Sequence, residues 1–380
     1  AAATASQGSG GGGGSSRAGS SGEAASVGAV HAEEDPVELL PPTPKHLSTS
    51  SSVPAVSALL TAATGSADHR TAVAAVRDAL DEGDFPDELL AIWSRREDEV
   101  VQPLAAAADG ASNSTSVSWH LPKDSRAAAV WLISQFTERM GLPSEAFAQA
   151  VTMLDIYCQK MGGKFDIEAL PGICMAICRL IHKTESTSNN MGRRFSATWL
   201  SKWLQPSGSA AVSVATEQLR YYERSVLAEL QWRINLPTVE TWLLAFCARL
   251  DAASQGFFRD SLTWVVHQGI ALSRVILQSM TVFELKPLRF ARGLCCHGLV
   301  AARLLPLQTL HLDDKVDMAE WERLYLQTGW GDVLPKFSLP RQNTDGMCQL
   351  LEMAIGTELS VLRQDSWALA TTTRDLFSRA

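Results

Sequence analysis

The sequence has 380 residues, enough for one large or two ordinary domains. Its Gly and Ser fall largely before residue 55 and its aromatics after residue 84, so the ordered mass is expected late in the chain. A net charge of −8 argues against a general nucleic-acid or membrane-surface binder, and with no run of 18 apolar residues no membrane span is expected. The seven cysteines are odd in number and sit inside apolar helical patterns. That suits buried thiols in a reducing compartment, not a disulfide framework.

Residues 1–54 are mostly Ala, Gly, Ser and Thr. They lack the apolar surface to offset ordering entropy, so a disordered tail is expected. Within it, HAEEDPVELLPPTPKH (31–46) reads as an acidic, Pro-rich linker with a Thr43-Pro44 pair open to proline-directed phosphorylation. Residues 55–101 carry three helical patterns. The third, DFPDELLAIWSRREDEVV (84–101), has Leu89, Ile92 and Trp93, with Asp84 or Asp87 at its start and Pro86 in its first turn. QPLAAAADGASNSTSV (102–117) reads as loop, closing a region of N-terminal helices and linker at 55–117.

From Ser125 the helices become dense. A first places Ala129, Leu132, Ile133, Phe136 and Met140 on one face; Gly141 to Pro143 break it, and Ser144 suits the next N-cap. A second places Phe147, Ala150, Val151, Leu154, Cys158 and Met161 on one face. A third, 167–183, is apolar nearly all round, as a central bundle helix should be. A fourth is read at 192–205. A fifth opens at Thr216, with Leu219, Tyr222, Val226 and Leu230 on one face and Leu227 beside them. Trp232 and Ile234 carry apolar bulk into a link, and Pro237 suits the first turn of a new helix. The second half repeats the plan at 238–250, 261–280, 287–305, 319–330 and 347–364, with 287–305 as its central helix. The expectation is an all-α chain of two five-helix units, 118–236 and 237–367, with a C-terminal tail at 368–380.

Motifs for chemistry are weak. Cys174 and Cys178 share a helix face, and Cys295-Cys296-His297 sits in the second central helix; neither has zinc-site spacing. No phosphate loop, nucleophile elbow or HExxH appears. Catalysis, a metal and a cofactor are therefore not expected.

One stretch is more specific. Glu223 followed by VLAELQWRINLPTVETWL resembles the end of the first cyclin box, where a Glu, a Val-Leu pair and an aromatic precede Pro-Thr-Val. HKTE (182–185) resembles the family's Ala/Ser-Lys-x-Glu. LKPLRFARGLCC and the Trp321…Thr328-Gly329-Trp330 spacing resemble the second box. The resemblance covers roughly residues 84–365 and is closest to the A/B-type mitotic cyclins.

The resemblance implies two tandem cyclin boxes and a regulatory subunit that binds and allosterically activates a cyclin-dependent kinase in cell-cycle control, in nucleus and cytoplasm. Glu223 and a cation at the end of helix 3, either Lys183 or Arg179, would bond the segment before the kinase's mobile helix. Glu185 lies beside them in the same motif. Leu180, Leu227, Trp232 and Ile234 correspond to the apolar patch pressed on the kinase, and Phe85 and Leu89 to contacts of the preceding helix. Arg126 and Asp155 match a buried pair that fixes helix 1 on helix 2.

The family opening, Met-Arg-x-Ile-Leu-x-Asp-Trp-Leu, departs here. Ser125 precedes Arg126, Trp131 takes the Asp position, Leu132 takes the Trp position, and Ala169 replaces a Gln. The substrate-docking groove for Arg-x-Leu motifs is therefore not carried over. Arg77 and Leu80 fit a minimal Arg-x-x-Leu degradation signal inside a helical pattern. The alternatives from other classes are a cyclin-fold scaffold without kinase activation and a transcription-factor-like two-box protein. The second usually carries a basic face and a zinc ribbon, which this acidic sequence without Cys-x-x-Cys lacks.

Overall fold

Helix-forming stripes dominate the chain, and among the described residues every regular element is a helix. The structure, a computed structural model, describes residues 85–110, 121–162, 166–185, 216–312, 315–328, 330 and 344–379, together with 74, 76–78 and 80. The expected tail at 1–54, the fourth helix at 192–205 and most of the patterns at 55–84 lie outside the described residues.

The first helices are α1 (Asp87–Gly110), α2 (Lys123–Arg139), α3 (Ser144–Met161), α4 (Leu170–Glu185) and α5 (Thr216–Glu229). They are followed by α6 (Val239–Ala253), α7 (Arg259–Ser279), the single turn α8 (Val282–Leu285) and α9 (Pro287–Ala301). The last are α10 (Met318–Leu326), α11 (Thr344–Ile355) and α12 (Leu359–Arg379).

Several bounds differ from the sequence reading. Residues 102–110 continue α1, where a loop was expected. The run Ala105–Ala108 explains this: Ala is the strongest helix former, and its propensity outweighs the looser composition that follows. Ser144 is the first helical residue of α3 and Pro143 the N-cap, with no side-chain cap bond. Pro237 precedes the N-cap of α6 and is not in its first turn; Thr238 caps it, closing a reciprocal box with Thr241. The helix expected at 347–364 is two helices, divided at Gly356, whose φ of +69° a side chain resists. α12 also runs past residue 367, so the stretch expected as a tail is helical to Arg379.

Two helices act as local centres. α4 lies against α2, α3 and α5, and α9 lies against α6, α7 and α12. Small residues allow the close approaches: a Cβ on Gly172 of α4 would fall 2.5 Å from the Tyr222 ring of α5. A Cβ on Gly293 of α9 would fall 2.9 Å from the Asp365 carbonyl of α12.

α3 differs from the one-faced helix expected. From Ala146 to Cys158 it is buried at every position except Gln149, which is half-buried. It packs on α2, α4 and α5 on one side and on α1, α6, α7 and α8 on the other.

A buried ion pair reinforces this junction. Arg126 of α2 grips Asp155 of α3 through Nε to Oδ1 at 2.9 Å and Nη2 to Oδ2 at 3.0 Å. Arg126 also donates to the carbonyls of Leu277 (3.0 Å), Gln278 (3.3 Å) and Met280 (2.8 Å) at the end of α7. The Val282 N–H donates to Asp155 Oδ2 at 3.0 Å. The pair thus joins α2 to α3 and both to the α7–α8 turn.

Candidate partner-binding site

The stripe Leu219, Val226 and Leu230 buries one side of α5, with Tyr222 and Leu227 partly buried beside it. α5 lies along α4, and Tyr157 of α3 meets Ser225 through their hydroxyls at 3.0 Å. This register puts Glu223 opposite the last turns of α4.

Glu223 is buried, and Lys183 Nζ donates to both of its oxygens at 2.8 Å. Arg179, one turn earlier on α4, places Nε 3.5 Å from Glu223 Oε1. Both cations left open by the sequence therefore converge on one carboxylate. They differ in exposure: the Lys183 side chain is 48% exposed and that of Arg179 24%, and Arg179 Nη1 is buried without a hydrogen-bond partner. The side chain of Glu185 lies outside the described residues.

α5 ends in a tight reversal. The Trp232 N–H bonds to Leu227 O at 2.9 Å and the Gln231 N–H to Ala228 O at 3.0 Å, the paired bonds of a Schellman motif. Gln231 and Trp232 both take positive φ, +52° and +62°, where glycine is the comfortable residue. The reversal leaves Trp232 74% exposed. Side chains from the body hold the adjoining backbone: Lys160 Nζ donates to Glu229 O at 2.8 Å, and Gln149 Nε2 to Ile234 O at 2.9 Å. Arg233 pairs with Glu99 of α1 at 2.9 Å.

The expected apolar contacts divide into two kinds. Leu180 is buried, and Leu227 and Ile234 pack partly against the core. Phe85 turns onto Trp93, with ring centroids 5.8 Å apart, and Leu89 is half-buried. Trp232 is the member of the set left in solvent, and Tyr221 on α5 is also exposed. On α2, Trp131 is 54% exposed and Leu132 packs partly against the core. Leu80 is buried, and Arg77 pairs with Asp260 at 2.9 Å.

Among the described residues, no group of three or more His, Cys, Asp or Glu is placed to hold a metal ion, and no helix is long and apolar enough to cross a membrane. Cys174, Cys178, Cys295, Cys296 and His297 are fully buried. Burial pushes the thiols of Cys174, Cys178 and Cys296 up and the His297 imidazole down to about 3, so they are neutral at ordinary pH.

The sequence reading missed Glu97. This α1 side chain is buried and accepts from Trp242 Nε1 at 2.9 Å and from the Leu288 N–H at 3.1 Å. A signal was present, because Glu97 falls at helical spacing from Leu90, Trp93, Val100 and Val101. A charge inside an apolar stripe needs a partner elsewhere.

No protein-family model matches the chain, and no curated protein matches it.

Proposed function

We propose that the chain is a regulatory subunit that binds a cyclin-dependent serine/threonine kinase and activates it allosterically. The observation that carries the reading is the Glu223 cluster. One buried carboxylate is held by Lys183 and Arg179 beside a chain reversal that puts Trp232 in solvent. The successive packing centres α4 and α9 support the two-box arrangement that the sequence resemblance implies.

In such a complex, Trp232 supplies apolar contact, and Lys183 and Glu223 supply register through directed hydrogen bonds. Lys183 is suited to this because half of its side chain remains in solvent while it is already oriented by Glu223. The partner's mobile helix would pack here and be held where its own Lys–Glu pair and Mg²⁺-binding Asp are aligned. Activation is then a population shift, because the subunit binds the active conformer better. An interface of this kind covers about 2,000 Å² or more.

Co-purification with candidate kinases and a histone-type phosphorylation assay test the reading, with Glu223→Ala, Lys183→Ala and Arg179→Ala beside the wild type. The expected result is a stable, active complex with the wild type and about tenfold or greater loss of kinase activation with Glu223→Ala, the equivalent of about 1.4 kcal/mol of coupling. Absence of any kinase binding would sink the proposal. Binding without activation would favour a cyclin-fold scaffold, the reading to which the exposed Trp131 lends weight, since it stands where the family opening has an Asp.

A further inference from the structure

α1 reaches the body of the molecule through Leu90, Trp93, Glu97, Val100 and Val101, and the carboxylate in this stripe is only 7% exposed. Trp242 Nε1 of α6 donates to its Oε2 at 2.9 Å. The backbone N–H of Leu288 donates to both of its oxygens at 3.1 Å. Leu288 is the second residue of α9. The N-cap of that helix, Lys286, is held at φ +51° and offers no side-chain cap. A carboxylate from a distant helix therefore serves the start of α9 as a local Asp or Ser serves most helix starts.

The surroundings fit a docking joint. Phe85, Trp93, Trp242 and Phe246 form a chain of ring contacts with centroids 5.8, 5.5 and 5.8 Å apart. Asp87 meets Arg249 at 2.6 Å and Glu99 meets Arg233 at 2.9 Å, but these are partly exposed pairs that hold weakly. The directional, buried contact is that of Glu97.

We infer that Glu97 is a latch: a positioning residue that caps α9 from outside and so fixes α1, with Phe85 and Leu89, over the start of α6 and α9. Burial raises its carboxyl from 4.5 to about 7; the Leu288 and Trp242 donors and Arg292 of α9 oppose the rise, and Asp98 on α1 adds to it. The sign of the proton dependence follows. With α1 released, Glu97 is an ordinary solvated carboxylate, ionised above about pH 4.5. Docking takes up a proton between that value and about 7, so the docked state is favoured at the acid end and weakens as pH rises through 7.

Amide hydrogen exchange on the full chain, corrected for intrinsic exchange, reads this directly at about pH 6 and about pH 8. The expected result for the wild type is about tenfold less protection of α1 at the higher pH. Glu97→Gln should remove the pH dependence, and Glu97→Ala should leave α1 weakly protected at both values. If the Ala variant does not fold, the wild-type and Gln series decide. Protection of α1 that is independent of pH in the wild type, or equally dependent in Glu97→Gln, overturns the latch.

The consequence for Phe85 and Leu89 at a partner rests on the kinase reading. Failure of the wild type to bind any kinase sinks that reading and leaves the exchange result standing. Unaltered exchange with kinase binding intact sinks the latch alone.

Discussion

Arg126 has all three guanidinium nitrogens engaged: Nε and Nη2 on Asp155, and Nη1 and Nη2 on the carbonyls that end α7. Truncation would strand a buried carboxylate and three carbonyls together. Arg126→Ala is expected to lower stability by about 3–5 kcal/mol in chemical denaturation. Arg126→Lys should recover little of it, because an ammonium cannot reproduce the planar fork. A change below about 1 kcal/mol would mean that the pair contributes no more than an exposed one. The Arg126–Asp155 partnership was expected from the family resemblance. Its grip on α7 was not, because no local pattern says which distant carbonyls a long side chain will meet. Glu97 was missed for a narrower reason: the stripe on its helix was read through Leu89, Ile92 and Trp93, and the residues after Trp93 were read as a charged end. Glu97 lies one turn past Trp93 on that stripe, but it stands between Arg96 and Asp98 and was taken with them.

Helix ends show the same limit at the scale of the element. Gly141 and Gly356 end their helices at φ of +61° and +69°, and a glycine announces such an end. Gln231, Gln255 and Arg303 take φ of +52°, +52° and +60° at comparable ends, and nothing in their chemistry announces it. After α5 the sequence reading gave a link ahead of Pro237, not a reversal. Left-handed backbone costs an L residue about 1–2 kcal/mol, so Gln231→Gly is expected to raise stability by up to about 1 kcal/mol, less the entropy that glycine adds to the unfolded chain. A urea midpoint that falls instead would show that the Gln231 side chain contributes more than its backbone loses. The apolar stripe of α5 was legible to the residue, since period and burial agree at Leu219, Val226 and Leu230. What was not legible was that Leu180, Leu227 and Ile234 would pack largely inward while Trp232 would not.

At the scale of the whole molecule, the buried groups Glu240, Glu97 and His297 make stability vary with pH. Glu240 at the start of α6 is fully buried, 3.6 Å from Arg274 Nε; burial raises its carboxyl to about 8, with Arg274 opposing. Glu97 is raised to about 7. Both are ionised in the unfolded chain above about 4.5 and protonated in the folded one until 7 to 8. Stability is therefore lost as pH rises from about 5 to about 8, at up to about 1.4 kcal/mol per unit for each proton taken up. His297 acts on the other limb. Burial lowers it from 6.5 to about 3, so stability falls as pH drops below 6.5. Melting temperatures between about pH 3 and pH 9 should pass through a maximum near about pH 4.5, because above it two carboxyls outweigh one imidazole. Glu240→Gln should flatten the alkaline side and leave the acid side in place. A profile that rises steadily to pH 8 would show that these carboxyls are ionised in the folded state.

α3 also decides how the chain comes apart. It is enclosed by helices from both sides of the link at Pro237, so neither side can melt without opening a wall of the other's interior. The border between 118–236 and 237–367 is therefore expected to divide the sequence and not the melting transition. Calorimetric and van't Hoff enthalpies for the pair should agree within error, as for a single melting unit. Residues 118–236 made alone would face water with Asp155, the acceptor of the Val282 N–H, and with the apolar flank of α3 that packs on α6 and α7, and should form soluble aggregates unless the second segment is supplied in trans. Two separate transitions, or a well-behaved isolated first segment, would show that α3 needs only one of its two sets of neighbours.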